Sequence, residues 1–173
     1  MADYSGSNVY TRLGVDPVIN AGGNTTTWGG STPSLAVKRA MDEADMGFVD
    51  MRQLLEKSGE HIAEILGVEA AYVTAGCYAA LALSAAACIT GADAEKRVQI
   101  PDAAGMKDEI LIQKNQRYGF DRCYTLSGGK LVEVGDEHGT TPEQLEAAIG
   151  PNTAAVVDFV QPDWGDGVVP LED

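Results

Sequence analysis

The most regular hydrophobic pattern of the chain lies in its first half. Apolar or small positions recur at i, i+3, i+4, i+7, i+11, i+14 and i+15, which is the period of an amphipathic α-helix. They are Met51, Leu54, Leu55, Ser58, Ile62, Ile65 and Leu66. This spacing predicts a helix that ends at Gly67, with the stripe facing a core and His61 on a solvated flank.

A second segment predicts a strand, a tight turn and a helix in succession. A β-type run over 70–74 meets the small residues Ala75, Gly76 and Cys77, and an alanine-rich segment of high helix propensity then reaches Gly91. Such a junction directs unpaired backbone N–H groups and the positive end of a helix dipole at one point, which suits a phosphate. The turn matches neither G-x-G-x-x-G nor G-x-x-x-x-G-K-[ST], so a plain tight turn remains the alternative.

The remaining patterns are shorter. Thr32 followed by Pro33 predicts the start of a helix that reaches about Phe48. Residues 92–108 are polar and predict irregular structure, and a short helix is expected within 114–123.

The last third of the chain predicts three strands and one helix. Apolar runs at 109–113, 131–134 and 154–160 have the length of strands, and the last is typical of a buried parallel strand. Between the second and third runs, residues 141–144 fit a capping box that opens a helix to about Ile149.

Strands that alternate with helices predict an α/β fold, with a mainly parallel sheet and helices on its faces. The series stops after the strand at 154–160, and the closing residues VVPLED resemble the entry to a further helix. A sheet abandoned there would have an unpaired edge. We therefore expect the chain to be the front part of a larger domain.

Composition narrows the classes of partner. The 173 residues are 45% hydrophobic, which suits a soluble domain with a core, and they carry a net charge of −14. That charge repels nucleic acid and anionic membranes, so we expect neither as a partner. Cys77, Cys88 and Cys123 have no paired spacing and are expected to be reduced thiols of a cytoplasmic protein.

Three passages together resemble one family. The chain is similar to the N-terminal part of fold-type-I pyridoxal-phosphate enzymes of the selenocysteine-synthase-like group, which includes D-glucosaminate-6-phosphate ammonia-lyases. The resemblance covers roughly residues 10–173 and implies an aminotransferase-like large domain, incomplete in this chain. The passages are 18–23 with 29–31, then 48–51 with 59–63 and 73–76, and finally 131–135 with 153–157.

The resemblance implies a division of the chain and a set of cofactor-binding residues. Residues 1–31 would form an arm and a glycine-rich loop, and residues 32–173 the N-terminal part of the cofactor-binding domain. Ala75, Gly76 and Cys77 would hold the phosphate of pyridoxal 5'-phosphate through backbone N–H groups. Gln116 occupies the position next to the pyridine ring at which relatives often have histidine.

The resemblance also implies substrate-binding residues. Asn20 and Thr26, in and beside the glycine-rich loop, would line the substrate side, contributed by the partner subunit of a homodimer or higher homo-oligomer. Arg117 would meet an anionic group of the substrate or the cofactor phosphate. The family's pyridine-pairing acid and Schiff-base lysine belong to later segments, so none of the six lysines is assigned a catalytic role.

The resulting hypothesis is an N-terminal fragment of a pyridoxal-phosphate-dependent lyase or transferase. It would act on a small amino acid or amino sugar acid through a cofactor imine, and we expect no catalysis from this chain alone. Two alternatives stay open: a non-catalytic α/β module that binds a phosphorylated ligand at residues 75–77, and a structural subunit that completes another chain's site. No metal-ligand spacing appears in the sequence.

Overall fold

The computed structural model describes residues 8–160 and 167–170, and compactness divides the chain into two units, Met1–Gln53 and Leu54–Asp173. The first unit contains α1 (Val9–Arg12), a 3₁₀ turn (Thr26–Trp28) and α2 (Leu35–Ala44). The predicted start of α2 at Thr32 is wrong. The hydroxyl of Ser34 caps the helix instead, accepting the N–H of Val37 at 3.3 Å. Neither α1 nor α2 has a buried residue.

Helix α3 (Met51–Leu66) has the predicted bounds, but its stripe packs differently from the prediction. The buried positions are Gly59 and Ala63, whereas Ile65 and Leu66 are exposed. The small residues decide the packing because they let another part of the main chain approach. A Cβ on Gly59 would lie 2.4 Å from the carbonyl oxygen of Ala71.

Helix α4 (Cys77–Thr90) also confirms its prediction and lies between two glycines with positive φ, Gly76 and Gly91. The strand predicted at 70–74 is wrong, because this segment pairs with no strand in the part of the chain that the structure describes. Residues 92–108 are also less irregular than predicted. They contain α5 (Ala94–Gln99), which forms because the Asp93 carboxylate caps the N–H groups of its first turn.

The sheet has three parallel strands in the order β2-β1-β3. They are β1 (Glu109–Gln113), β2 (Lys130–Val134) and β3 (Thr153–Val157), and α6 (Pro142–Ala148) connects the last two. The predicted α/β class and parallel sheet are confirmed. The capping box is also confirmed, since Thr141 and Gln144 bond each other's backbone N–H groups.

The position of each strand in the sheet sets its burial. The central strand β1 is enclosed, with Ile110, Leu111 and Ile112 at most 1% exposed. The prediction that the last strand is buried is wrong, because β3 is an edge strand of the described sheet and Val156 is 42% exposed. The helix expected within 114–123 is replaced by two 3₁₀ turns, Lys114–Gln116 and Asp121–Thr125.

The core joins α4 to the carboxyl ends of the strands. Ala85 of α4 packs with Ile110 of β1 and with Cys123 and Tyr124 of the second 3₁₀ turn. Around them pack residues from the first half of α4 and from the segments that follow β1 and β3, including Leu81, Ala82, Tyr118 and Phe159. The first half of α4 is therefore held beside the carboxyl edge of the sheet, where open α/β sheets bind ligands. Among the described residues, no helix has both the length and the apolar character needed to cross a membrane.

Candidate functional site

The amino end of α4 presents free backbone donors. Gly76 is the N-cap residue, with φ +140° and ψ 171°, and no side chain caps the first turn. Within the described chain, the N–H groups of Cys77, Tyr78 and Ala79 have no hydrogen-bond acceptor, and the first bond of the helix runs from Ala80 N–H to Gly76 O at 3.0 Å. Three converging donors at the positive end of a 14-residue helix can bind an anion.

The conformation of this turn is set by Thr74 and Gly76. The Thr74 hydroxyl donates to the carbonyl oxygen of Gly76 at 3.0 Å and accepts its N–H at 3.4 Å. Only glycine adopts the Gly76 dihedral angles without strain. A Cβ at this position would meet no atom within 4 Å, so the space beside the turn is open. The predicted residues Ala75, Gly76 and Cys77 thus form an accessible corner whose amides are not used inside the described protein.

Gln116 lies at the end of the 3₁₀ turn that follows β1, and its amide is engaged within the protein. Nε2 donates to Asp158 Oδ1 at 2.7 Å and to the carbonyl oxygen of Phe159 at 3.2 Å, while Oε1 accepts the N–H of Phe159 at 3.2 Å. The residue is 1% exposed. Contact between this amide and a cofactor ring would require the network to rearrange, and the predicted role of Gln116 stays a prediction.

Gln113, the last residue of β1, makes a parallel set of bonds. Its Nε2 donates to Asp158 Oδ1 at 3.2 Å and to Val169 O at 3.0 Å, and its Oε1 accepts Val169 N–H at 2.7 Å. Sequence reasoning missed Gln113 and Asp158. Both were visible as the only polar residues in otherwise apolar runs, ILIQ and AAVVDFV.

Three aromatic and thiol groups lie close together under this edge. The rings of Tyr118 and Phe159 meet edge to face with centroids 4.7 Å apart. Burial is the main cause that raises the pKa of Tyr118, Tyr124 and Cys123 above their ordinary values. All three groups therefore stay neutral at physiological pH, and they provide an apolar floor rather than an acid or a base.

Arg117 is held by two carboxylates. Its Nε bonds Asp121, which is buried, and its NH1 bonds Glu133 of β2, which is half exposed. The bond with Asp121 is the main cause that raises the pKa of Arg117. An incoming anion would have to displace Glu133 to reach the guanidinium. The predicted contact of Arg117 with a substrate or phosphate stays a prediction.

The predicted substrate-binding residues belong to the first compact unit. Asn20 Oδ1 accepts Gly22 N–H at 2.9 Å, and its Nδ2 donates to Gly23 O at 2.8 Å, so its side chain shapes the start of the glycine-rich loop. Thr26 begins the 3₁₀ turn of that loop and accepts the N–H of Gly29 at 3.0 Å. Both are exposed, and their substrate contacts stay predictions, as does the division at residue 31.

Other candidate features carry less chemistry. His61 and His138 are exposed, and the segment 163–166, considered as a pocket mouth, lies outside the described residues. No group of three or more His, Cys, Asp or Glu side chains within 8–160 and 167–170 is arranged to hold a metal ion. An open cavity of about 420 Å³ lies at the amino ends of the strands, lined by residues 103–108, Lys130, Pro151 and Asn152. It is at the opposite edge from Gln113 and Asp158.

Comparisons with known proteins give two curated relatives. The chain is 36% identical over 154 residues to D-glucosaminate-6-phosphate ammonia lyase of Salmonella typhimurium (strain 14028s / SGSC 2262), covering 87% of this chain and 42% of the relative. It is 37% identical over 153 residues to 5'-C-glycyluridine monooxygenase-decarboxylase of a Streptomyces species, covering 86% of this chain and 38% of the relative. No protein-family model matches the chain.

A solved structure gives the same answer. The structure of a D-glucosaminate-6-phosphate ammonia-lyase superimposes with a TM-score of 0.82 at 35% identity, over 87% of this chain and 42% of that one. The chain thus spans about two fifths of the length of the relatives it matches. The resemblance stated from the sequence is confirmed, and it extends over the N-terminal part of these proteins.

Proposed function

We propose that this chain, a homologue of the N-terminal part of D-glucosaminate-6-phosphate ammonia lyase, is the phosphate-holding part of a pyridoxal-phosphate-dependent lyase or transferase. Its substrate would be a small amino acid or an amino sugar acid. The observation that carries the proposal is the amino end of α4, where the amides of Cys77, Tyr78 and Ala79 have no acceptor in the described chain. An uncapped helix end beside the carboxyl edge of a parallel sheet suits a phosphate.

The residues present fit the phosphate of the cofactor. Gly76 supplies a backbone conformation that aims the amides outward, and the space beside it is open. The net charge of −14 makes a dedicated donor set necessary for any phosphorylated ligand. Pyridoxal phosphate, when bound, supplies an electron sink for bonds at an amino-bearing carbon, and the protein supplies orientation and electrostatics.

The chain's own residues would have separate tasks in this proposal. Ala75, Gly76 and Cys77 orient the cofactor through its phosphate, and the neutral side chains of Tyr118, Tyr124 and Cys123 keep the floor of the corner apolar. Gln116 belongs to the ring side. Asn20, Thr26 and Arg117 belong to the substrate side. No lysine of this chain is assigned to the cofactor, so we propose that the chain alone is inactive.

The proposed assembly is a homodimer or higher homo-oligomer in the cytoplasm. Support comes from the apolar side chains that the first unit exposes, among them Ile19 at 92%, Met46 at 89% and Phe48 at 106% of full exposure. Large exposed apolar side chains in such number are typical of surfaces that become covered. Light scattering of the purified chain tests this part: a mass of one chain at all concentrations contradicts it for this chain.

Cofactor binding is the direct test of the proposed function. The purified chain is titrated with pyridoxal phosphate and, as the matched ligand, with pyridoxal, which lacks the phosphate. We expect saturable binding of pyridoxal phosphate at least tenfold tighter than that of pyridoxal, and a weaker phosphate preference in Gly76→Ala. Gly119→Ala is the matched control, since Gly119 lacks a positive φ and has open space around it. Equal affinities for the two ligands would refute the proposal.

The same samples test the assignment of the lysines. Borohydride reduction followed by peptide mapping locates any lysine that has condensed with the aldehyde. We expect no single lysine to be modified preferentially. Stoichiometric modification of one lysine would contradict the proposal that the Schiff-base residue lies outside this chain, whereas it would leave the phosphate site standing.

A further inference from the structure

Gln113 and Gln116 bind the main chain in the same unusual way. Each side-chain amide donates to the carbonyl oxygen and accepts the N–H of one residue, Val169 for Gln113 and Phe159 for Gln116. A primary amide offers one donor group and one acceptor, which is the complement of a peptide group. Each glutamine therefore acts as a rung of β-type pairing on a segment that has no strand partner there.

Asp158 fixes the orientation of both amides. Its Oδ1 accepts one N–H from each Nε2, at 3.2 Å from Gln113 and 2.7 Å from Gln116. Because the carboxylate only accepts, each NH₂ group must face it, and each amide oxygen must face the main-chain N–H. Hydrogen bonds to an ionised group are stronger than neutral ones. Both glutamines are 1% exposed, so water does not compete for these bonds.

The two bound residues, Phe159 and Val169, lie on either side of the segment that leaves β3. The second of them is held further by neighbouring main chain. Thr140 N–H donates to Gly167 O at 2.8 Å, and a Cβ on Gly139 would lie 2.2 Å from that same oxygen. The main chain at 167–169 therefore crosses the ends of β1 and β2 in close contact, and two glycines permit the approach.

We propose that Gln113 and Gln116, oriented by Asp158, are positioning residues that hold the main chain at Phe159 and Val169 against the end of β1. Phe159 packs edge to face on Tyr118, and both pack with the first half of α4. The glutamines thereby act on the α4 corner through Phe159, without touching a ligand. What the positioned edge is used for rests on the proposed function, but the positioning itself does not.

Site-specific hydrogen exchange tests the two glutamines separately. In Gln116→Leu we expect the protection factor of the Phe159 amide to fall at least tenfold, while that of Val169 changes less than threefold. Gln113→Leu should give the reverse pattern. A general loss of stability would lower both amides together in both variants, and that result would overturn the proposal.

A pH-dependent rescue distinguishes hydrogen bonding from space filling. In Gln116→Glu the carboxylate cannot donate to Phe159 and repels Asp158, so protection of the Phe159 amide should be lost near pH 7.5. Burial and the Asp158 charge both raise the pKa of the introduced carboxyl above its ordinary value of about 4.3. At about pH 5 the protonated form regains a donor and an acceptor. We expect the protection factor to recover there by at least fivefold, and no recovery in Gln116→Leu.

Gln53→Glu on the exposed face of α3 is the matched control, and the Phe159 amide should keep its protection at both pH values. Equal protection in wild type and Gln116→Glu at both pH values would overturn the proposal, as would an equal loss at both. Should Gln116→Glu fail to fold, the Gln113→Leu comparison decides. Absence of pyridoxal phosphate binding in the wild type would refute the proposed function alone, since none of these exchange measurements uses the cofactor.

Discussion

Gln116 and Phe159 are joined twice, once through the amide of one and the peptide of the other, and the Phe159 ring then meets Tyr118 edge to face at 4.7 Å. The first contact fixes the main chain, and the second carries that position into the core. This relationship connects β3 to the turn after β1 although the two residues are 43 positions apart. It also explains why an amide sits where the family resemblance suggested a ring-facing residue.

Replacing the Phe159 ring should weaken the core measurably. Phe159→Leu removes an edge-to-face pair, a contact of about 0.5–1.5 kcal/mol beyond the area it buries. We expect a loss of roughly 1–2 kcal/mol in the free energy of unfolding, measured by urea denaturation. Phe120→Leu is the control, since Phe120 is 68% exposed and should cost less than about 0.5 kcal/mol. Equal costs would mean that the Tyr118–Phe159 contact contributes nothing.

Gly59 should not tolerate a side chain. A Cβ there would lie 2.4 Å from the carbonyl oxygen of Ala71, and the main chain must move to make room. Because overpacking costs about 1–3 kcal/mol, Gly59→Ala should be destabilised by that amount in spite of the better helix propensity of alanine. Gly119→Ala, with open space around it, should stay within about 1 kcal/mol of wild type in the same urea experiment. A stabilised Gly59→Ala would contradict the packing of α3 on residues 70–74.

The three cysteines should react unequally with iodoacetamide. Cys77 and Cys88 are exposed, whereas the Cys123 thiol is inaccessible and burial raises its pKa, so little thiolate forms there. Mass spectrometry near pH 8 should show rapid alkylation of the first two and slow alkylation of Cys123. All three should react alike in denaturant. Fast labelling of Cys123 in the native protein would contradict the core formed by α4 and β1.

The turn before α6 should depend on pH. The backbone N–H of His138 is the main cause that lowers the pKa of Asp136, and the amide of Gln144 adds to it. A lowered folded-state pKa means that this contribution to stability is present above the ordinary value of about 3.9 and is lost as pH falls through the folded-state value. An NMR titration of the His138 amide should therefore have its midpoint below about 3.9. The same amide should not titrate in Asp136→Asn; a midpoint at or above 3.9 in wild type would contradict the assignment.

Local sequence signals predicted the elements that depend on local physics. Gly67 and Gly91 mark helix ends, Thr141 and Gln144 form a reciprocal cap, and the apolar run at 109–113 matches β1 residue for residue. The predicted strand at 70–74 failed for a non-local reason, since a strand needs a neighbour to pair with.

The candidate site was predictable only in its backbone part. Small residues before an alanine-rich helix were enough to indicate the free amides at residues 77–79. The bonds of Gln113 and Gln116 depend on Asp158 and on the main chain at 159 and 169, more than 40 residues away, and no sequence pattern announces such contacts. The partners of Arg117 were missed for the same reason, because Glu133 reaches it from the neighbouring strand.

The central claim is that backbone amides at the start of α4 bind the phosphate of pyridoxal phosphate. The most direct measurement is an NMR titration of the isotopically labelled chain that follows the amide signals of Cys77, Tyr78 and Ala79. We expect these three signals to shift saturably with pyridoxal phosphate, and to shift far less with pyridoxal. Unchanged signals with pyridoxal phosphate, or equal shifts with both ligands, would contradict the account.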